Sequence, residues 1–444
     1  MGFIDRLFGT ETDDISQPDI RFGRYTDSYK SPENYRAWDQ ALRAFEEEDY
    51  LTSFRQFFAY LRDESENNVH VQDAEHGIRF ELYQGSKKIS GFADETKLKA
   101  EARIAYSQEM NVAFMRRLIE KNFSLKYSRF ALDEADNITI VFDTYTLDGS
   151  PYKLYFALKE LATNADKQDD LLLEEFDALI PVENAHLQEL DREEKEAKYQ
   201  YLTDEIRKAL HVLENGALSL DKYPGGYAYI FLHLLYKLDY LTKPEGHTME
   251  TLERLHRKYF AKDKKSTLQK VQVIGKGLRK LAERPKADFF KEMYQVRSTF
   301  GITTPVNHDR VVGFIDSELP NMDWYNENGH EEIALAIPGY IVGYCLFNYA
   351  IPRPDRDFFH LFYQITEADF FRSLGFQIKY TDPATGALKK RAIRKGVQAV
   401  VDDNADQFPN LDPNLSVLDF STRPNFARSF LRMLRTLDMT RRKG

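Results

Sequence analysis

The residues best suited to chemistry lie in the second half of the chain. In "TTPVNHDR", His308 and Asp309 stand beside Arg310, and in "WYNENGHEE", His330 precedes two glutamates. An imidazole next to a carboxylate can act as a general base, because its pKa lies near neutrality. His308, Asp309 and His330 therefore form the candidate polar site, for a small ligand or a hydrolytic reaction, provided that they converge in one cleft. No nucleophile accompanies them. There is no G-x-S-x-G, and the only cysteine, Cys345, sits in an apolar stretch with no local charge to activate it. A loop stitched by hydrogen bonds accounts for the same residues, so no catalytic residue is assigned.

A second cluster, "HVQDAEH", brings His70, Asp73, Glu75 and His76 together. Imidazole and carboxylate are metal ligands, but this spacing does not place both histidines on one helical turn. A solvated loop is the expectation, and no metal and no cofactor is expected. Gly275-Lys276-Gly277 lies inside a helical pattern without a phosphate-cradling loop, so its glycines are read as permitting close helix packing. The third cluster is basic: Lys264, Lys265, Lys270, Lys276, Arg279 and Lys280 fall within 262–286, and more cations close the chain. Such a segment can meet phosphate, acidic lipid or an acidic protein, or be a solvated face. The aromatic run around Tyr340, Tyr344, Phe347 and Phe358 can line a pocket, but at helical spacing it reads as core.

These clusters sit in a chain of 444 residues, long enough for two or three domains. Hydrophobic residues make up 42% and charged residues 30%, which excludes wholesale disorder. One cysteine leaves no internal disulfide framework and fits a reducing cytosol. Net charge is −10, unevenly divided: residues 1–200 hold 25 Lys and Arg against 41 Asp and Glu, the remainder 36 against 30. The halves are thus expected to be different domains, and nucleic acid is an unexpected partner for so acidic a protein. The segment 333–352 lacks charge, but Pro338 and Pro352 bracket a helix of about a dozen residues, about 18 Å against about 30 Å of hydrocarbon. A buried core helix is expected there, no membrane association, and a cytoplasmic location.

Residues 1–30 read as a flexible lead-in. Ser31-Pro32-Glu33 starts a helix, and the spacing of Tyr35, Trp38, Leu42 and Phe45, then Leu51, Phe54, Phe57, Phe58 and Leu61, predicts an αα-hairpin or one bent helix. Alternation then predicts three strands over 78–106, a helix over 112–122, two strands at 126–132 and 137–145, and a helix after Pro151. Short links force antiparallel pairing, with the helices covering the sheet. The fold class is α+β: an N-terminal two-layer domain over 31–180, a charged linker helix over 181–210, and a mostly α-helical domain over 211–444. From residue 201 onward, helices are expected at 202–213, 227–241, 249–260, 268–281, 287–298, 339–350, 357–374 and 425–437. A small hairpin is expected at 378–391.

The stretch from about Ser31 to Phe176 resembles the YbjN-like family, whose fold is that of the type III secretion chaperones. The element order carries this, together with "NVAFMRRLIEKNFSLKYSRFALDEADNITIVFDTY" and the closing "ALKELATNAD". The resemblance covers about a third of the chain. It implies a non-enzymatic role, dimer formation or the holding of a partner polypeptide, and supplies no site residues. The expected partner is therefore a protein or a second copy of the chain.

Overall fold

The computed structural model describes residues 17–107, 112–175, 179–182 and 187–442. The chain divides into two compact units. The sheet unit takes 25–189 and 294–302; the helical unit takes the segment up to Arg24, then 190–293 and 303–444. Of the described lead-in, residues 17–24 fall in the helical unit and 25–30 in the sheet unit; most of the 181–210 segment lies in the helical unit's helix over 192–215, and a short segment from the second half, 294–302, falls in the sheet unit.

In the sheet unit, Ser31 caps α1 (Pro32–Glu46) in a reciprocal capping box with Asn34. Ala37, Ala41 and Ala44 line its inner face, small enough for α2 (Tyr50–Leu61) to approach, and the Ser53 hydroxyl donates to the Ala41 carbonyl at 2.8 Å. The two are separate helices joined by a tight turn in which Glu48 has φ 63°. The strands β1 (Val69–Ala74), β2 (Gly77–Gln84), β3 (Lys87–Ala93), β4 (Lys97–Ser107), β5 (Arg129–Leu132) and β6 (Asn137–Tyr145) form an antiparallel sheet in the order β1-β2-β3-β4-β6-β5. β7 (Leu179–Pro181) pairs with the end of β4. "HVQDAEH" is a strand and turn, not a loop: its polar residues occupy the edge strand β1, which buries Val69 at its start and is exposed from Val71 on, so that no apolar alternation runs along it.

Two helices complete the unit, α3 (Val112–Asn122) beside β5 and α4 (Pro151–Glu175) across the sheet. Phe54, Phe57, Phe58, Phe80, Phe142, Leu158 and Leu161 are all buried in the single core between sheet and helices. Residues 294–302 contribute Phe300 to that core. The Gln84 side-chain carbonyl accepts from the backbone N–H groups of Thr299 and Phe300, and the Thr299 hydroxyl donates to the Tyr83 carbonyl at 2.8 Å. The helix expected over 287–298 consequently ends early, and β9 (Tyr294–Gln295) pairs with β8 (Gln188–Glu189).

The helical unit comprises α5 (Arg192–Asn215), α6 (Pro224–Thr242), α7 (Gly246–Phe260), α8 (Thr267–Ala282), α9 (Lys286–Lys291), α10 (His308–Glu318), α11 (Met322–Glu327), α12 (Glu331–Asn348), α13 (Arg353–Thr366), α14 (Ala368–Ser373), α15 (Lys390–Asn404) and α16 (Arg423–Leu434). A two-residue parallel pair, β10 (Thr304–Pro305) with β11 (Tyr349–Ala350), ties the approach to α10 to the end of α12. The core is built on α6 and α12, both apolar nearly all round. Gly339 and Gly343 of α12 face α6: a Cβ at Gly339 would lie 2.2 Å from the His233 ring, and one at Gly343 2.6 Å from Tyr236 Cβ. Likewise a Cβ at Gly277 would lie 2.5 Å from Leu255, the close helix packing expected of that glycine pair.

Three details differ from expectation. α12 runs through Pro338 instead of starting after it, because burial against α6 outweighs one lost backbone bond. α5 buries Leu202, Ile206 and Leu210 in the helical core, and its many charges occupy the remaining faces. The 378–391 hairpin reduces to one bridge, Thr381 with Leu388, before α15 begins. No helix among the described residues is long and apolar enough to cross a membrane.

Candidate functional site

His308 opens α10, its position fixed by Asn307, whose side-chain oxygen caps the Arg310 N–H. Asp355 sits in the first turn of α13. The two meet: His308 Nδ1 lies 2.9 Å and 3.1 Å from the Asp355 carboxylate oxygens. Both side chains are buried, Asp355 completely. Burial alone would lower the imidazole's pKa, but the hydrogen bond and charge of Asp355 hold it above the ordinary histidine value. Burial pushes the Asp355 carboxyl up, against the pull of His308.

His308, but not Asp355, borders a cleft of about 680 Å³, lined also by Pro305, Val306, Asn307, Asp309, Pro352, Phe408 and the segment Leu437–Arg441. A carboxylate-oriented imidazole is the arrangement of a general base. Here no serine or activated thiol accompanies it among the lining residues. Cys345 is fully buried and burial pushes its thiol up, so it stays protonated and inert.

The expected trio does not converge. Asp309 is exposed on the next position of α10 and accepts from the Asn307 side chain. His330 precedes the first turn of α12 and stacks on Trp324 at 5.6 Å between ring centroids. His308 lies near the opposite end of α12, because β10 pairs with β11 there. At 1.5 Å per residue that 18-residue helix is about 27 Å long, so the two histidines belong to opposite ends of it. The true partner of His308, Asp355, is 47 residues away and shows no local signal beyond an acid in a first helical turn.

The basic cluster is spread over a loop and one helix. Lys265 and Lys270 both pair with Asp263, and Arg279 pairs with Glu214 at 2.6 Å. Lys264, Lys276 and Lys280 are exposed. Intervening carboxylates divide the run into separate surface ion pairs, each worth little energetically. In "HVQDAEH", His70 packs edge-on against Tyr83, Asp73 pairs with Arg55, and no group of metal-binding residues forms among the described residues.

The most unusual surface belongs to the sheet unit. Val112, Ile119 and Phe123 recur at helical spacing along one outward stripe of α3 and just beyond it, exposed by 85%, 67% and 96%. Leu118 faces inward and is buried. Tyr127, on the approach to β5, and Leu132, at its end, are also exposed. Between the apolar residues, Arg116 pairs with Glu120 at 3.1 Å, one turn apart. Among the described residues, the helical unit exposes only Phe260, Trp324 and Val417 of its large apolar side chains. The α3 periodicity is visible in sequence, but it marks two stripes, and only one is buried.

No protein-family model matches the chain, and no curated protein matches it.

Proposed function

We propose that the protein is a non-enzymatic interaction protein that self-associates through α3 of a YbjN-like, chaperone-like sheet unit. The observation that carries this is the exposed Val112–Ile119–Phe123 stripe. Water contact with this much aligned apolar surface is costly, and such stripes mark association surfaces. The pattern is also self-complementary. If two copies of α3 pack antiparallel about a twofold axis near residues 117 and 118, Val112 meets Phe123 of the second copy and Arg116 meets its Glu120. That is the isologous arrangement of a symmetric dimer. The intrahelical Arg116–Glu120 pair then becomes an intermolecular one.

The element order shared with the YbjN-like family supports the same reading, and the single, buried Cys345 fits a reducing, cytoplasmic setting. The test is light scattering on the intact protein and on Ile119→Glu. The reading expects a dimer for the former and, for the latter, a monomer that keeps the wild-type circular dichroism spectrum and a cooperative melt. A wild-type monomer at 100 µM or so sinks it, since a surface of this kind should hold a dimer at micromolar concentration.

A second reading rests on the His308–Asp355 pair at its cleft: a small-ligand site in the helical unit. It requires that some small molecule shift the thermal melt of the wild type and leave that of His308→Gln unmoved.

A further inference from the structure

The helical unit contains a socket whose occupant is not one of its helices but an extended strand of chain, residues 17–24. The segment has no helical or sheet structure and is held chiefly by side chains. Arg24 is its main anchor. Its Nε and Nη2 donate to the Asp239 carboxylate at 2.9 Å and 2.8 Å, its Nη1 donates to Glu253 at 2.8 Å, and its guanidinium lies 4.2 Å above the Phe347 ring. The bidentate fork, the second carboxylate and the aromatic plane suit a planar guanidinium, and an ammonium can make only part of these contacts.

The second anchor is Phe22, whose ring sits 5.0 Å from Phe371, 5.3 Å from His360, 5.8 Å from Phe376 and 6.5 Å from Tyr240. Between the anchors, the Gly23 N–H donates to the Tyr240 carbonyl at 2.9 Å. Gly23 has φ +73°, and a Cβ there would lie 2.5 Å from the Tyr240 ring, so only glycine passes. Two consecutive residues at the end of α6, Asp239 and Tyr240, thus read three consecutive positions of the occupant: aromatic, glycine, arginine.

The socket is held by contacts of its own. The Tyr240 hydroxyl is 3.0 Å from His360 Nδ1, His360 Nε2 is 3.1 Å from the Gln364 amide, and Phe371 packs on Phe376. Asp239 is 6% exposed and Glu253 18%, and Glu253 also accepts from Arg257. Without a cation in the socket, Asp239 would be a buried charge lacking its bidentate partner, which is strongly unfavourable. His256 does not replace that cation, since burial lowers its pKa to about 4 and it is neutral at pH 7.

We infer that this socket is a peptide-recognition site for an extended aromatic–Gly–Arg segment, occupied here in cis by the protein's own Phe22-Gly23-Arg24. The partner it fits is a polypeptide presenting the same three residues in extended form, and the cis segment is its competitor. The site is separate from α3 and does not depend on self-association.

The experiment uses a fluorescein-labelled octapeptide of residues 17–24, titrated into the full-length protein and followed by anisotropy. In Phe22→Ala the cis segment loses its aromatic anchor while Arg24 still satisfies the carboxylates. This variant is expected to bind the peptide saturably and at least tenfold more tightly than the wild type, whose socket is filled. Replacing the peptide's arginine with lysine, or adding Asp239→Asn to the protein, should each weaken binding by tenfold or more. A folded Phe22→Ala that binds no better than wild type overturns the inference, as does a lysine peptide that binds equally well. Should Phe22→Ala fail to fold, Arg24→Lys takes its place. It keeps a cation against Asp239 but loses the fork, and binding no tighter than wild type again overturns the inference.

Discussion

Asn122 and Phe130 exchange two hydrogen bonds: the Asn122 side-chain oxygen accepts the Phe130 N–H at 2.6 Å, and its amide donates to the Phe130 carbonyl at 3.4 Å. A side-chain carboxamide here imitates a neighbouring strand. It closes the outer edge of β5 to strand addition and fixes the end of α3 against the sheet, so that Ile119 and Phe123 face outward.

Asn122→Ala should therefore cost about 1–2 kcal/mol in a urea titration, the usual consequence of stripping a partner from backbone groups out of water's easy reach. It should also blur the α3 dimer contact, lowering the dimer fraction measured by light scattering.

Gly339→Ala should destabilise the helical unit by about 1–3 kcal/mol, because its new methyl group enters the His233 ring position and α6 must shift from α12. Gly329→Ala, at a position with open space but φ +75°, separates backbone strain from overpacking. Melting temperatures of the two variants should differ, with Gly339→Ala the lower.

Acid should loosen the helical unit before the carboxylates titrate. Burial lowers the pKa of His233 to about 3, of His256 to about 4 and of His360 to about 3. A histidine whose folded pKa lies below its unfolded value takes up protons on unfolding. Stability therefore falls as pH drops below about 6.5, the unfolded value, and goes on falling until the folded values are reached. Denaturation midpoints at pH 7 and 5 should show the loss, and His233→Gln should reduce it.

The His308–Asp355 pair has the opposite sign. Both groups hold their protons more tightly folded than unfolded. The stability His308 contributes is fully present below the unfolded histidine value and is lost as pH rises through the higher folded one. Asp355→Asn should remove that alkaline decline in the midpoint between pH 6 and 9. An unchanged slope would show that the pair does not govern it.

The sheet unit was largely legible in sequence because its strands alternate cleanly, as in Ile78, Phe80 and Leu82, and because Ser31-Pro32 announces a helix start. β1 is not, since only Val69 of this edge strand is buried and the rest carries no apolar alternation. The helical unit showed its long amphipathic elements but hid α10, α11 and α15, whose apolar positions are few. His308 was visible as a residue type, whereas Asp355 and the Arg24–Asp239 pair join positions 47 and 215 residues apart, and no local pattern encodes such contacts. The α3 periodicity predicts a helix, but which of its two apolar faces is buried depends on the sheet beneath it.

Cysteine cross-linking at position 119 tests the self-association of α3 most directly, because Cys345 is the only native cysteine and is buried. With Ile119→Cys and a short bismaleimide, antiparallel α3 pairing predicts a covalent dimer as the main product at micromolar protein. Glu75→Cys, at an exposed turn of the same unit, should give almost none. Equal yields at the two positions, or no cross-link at 119, would contradict the account.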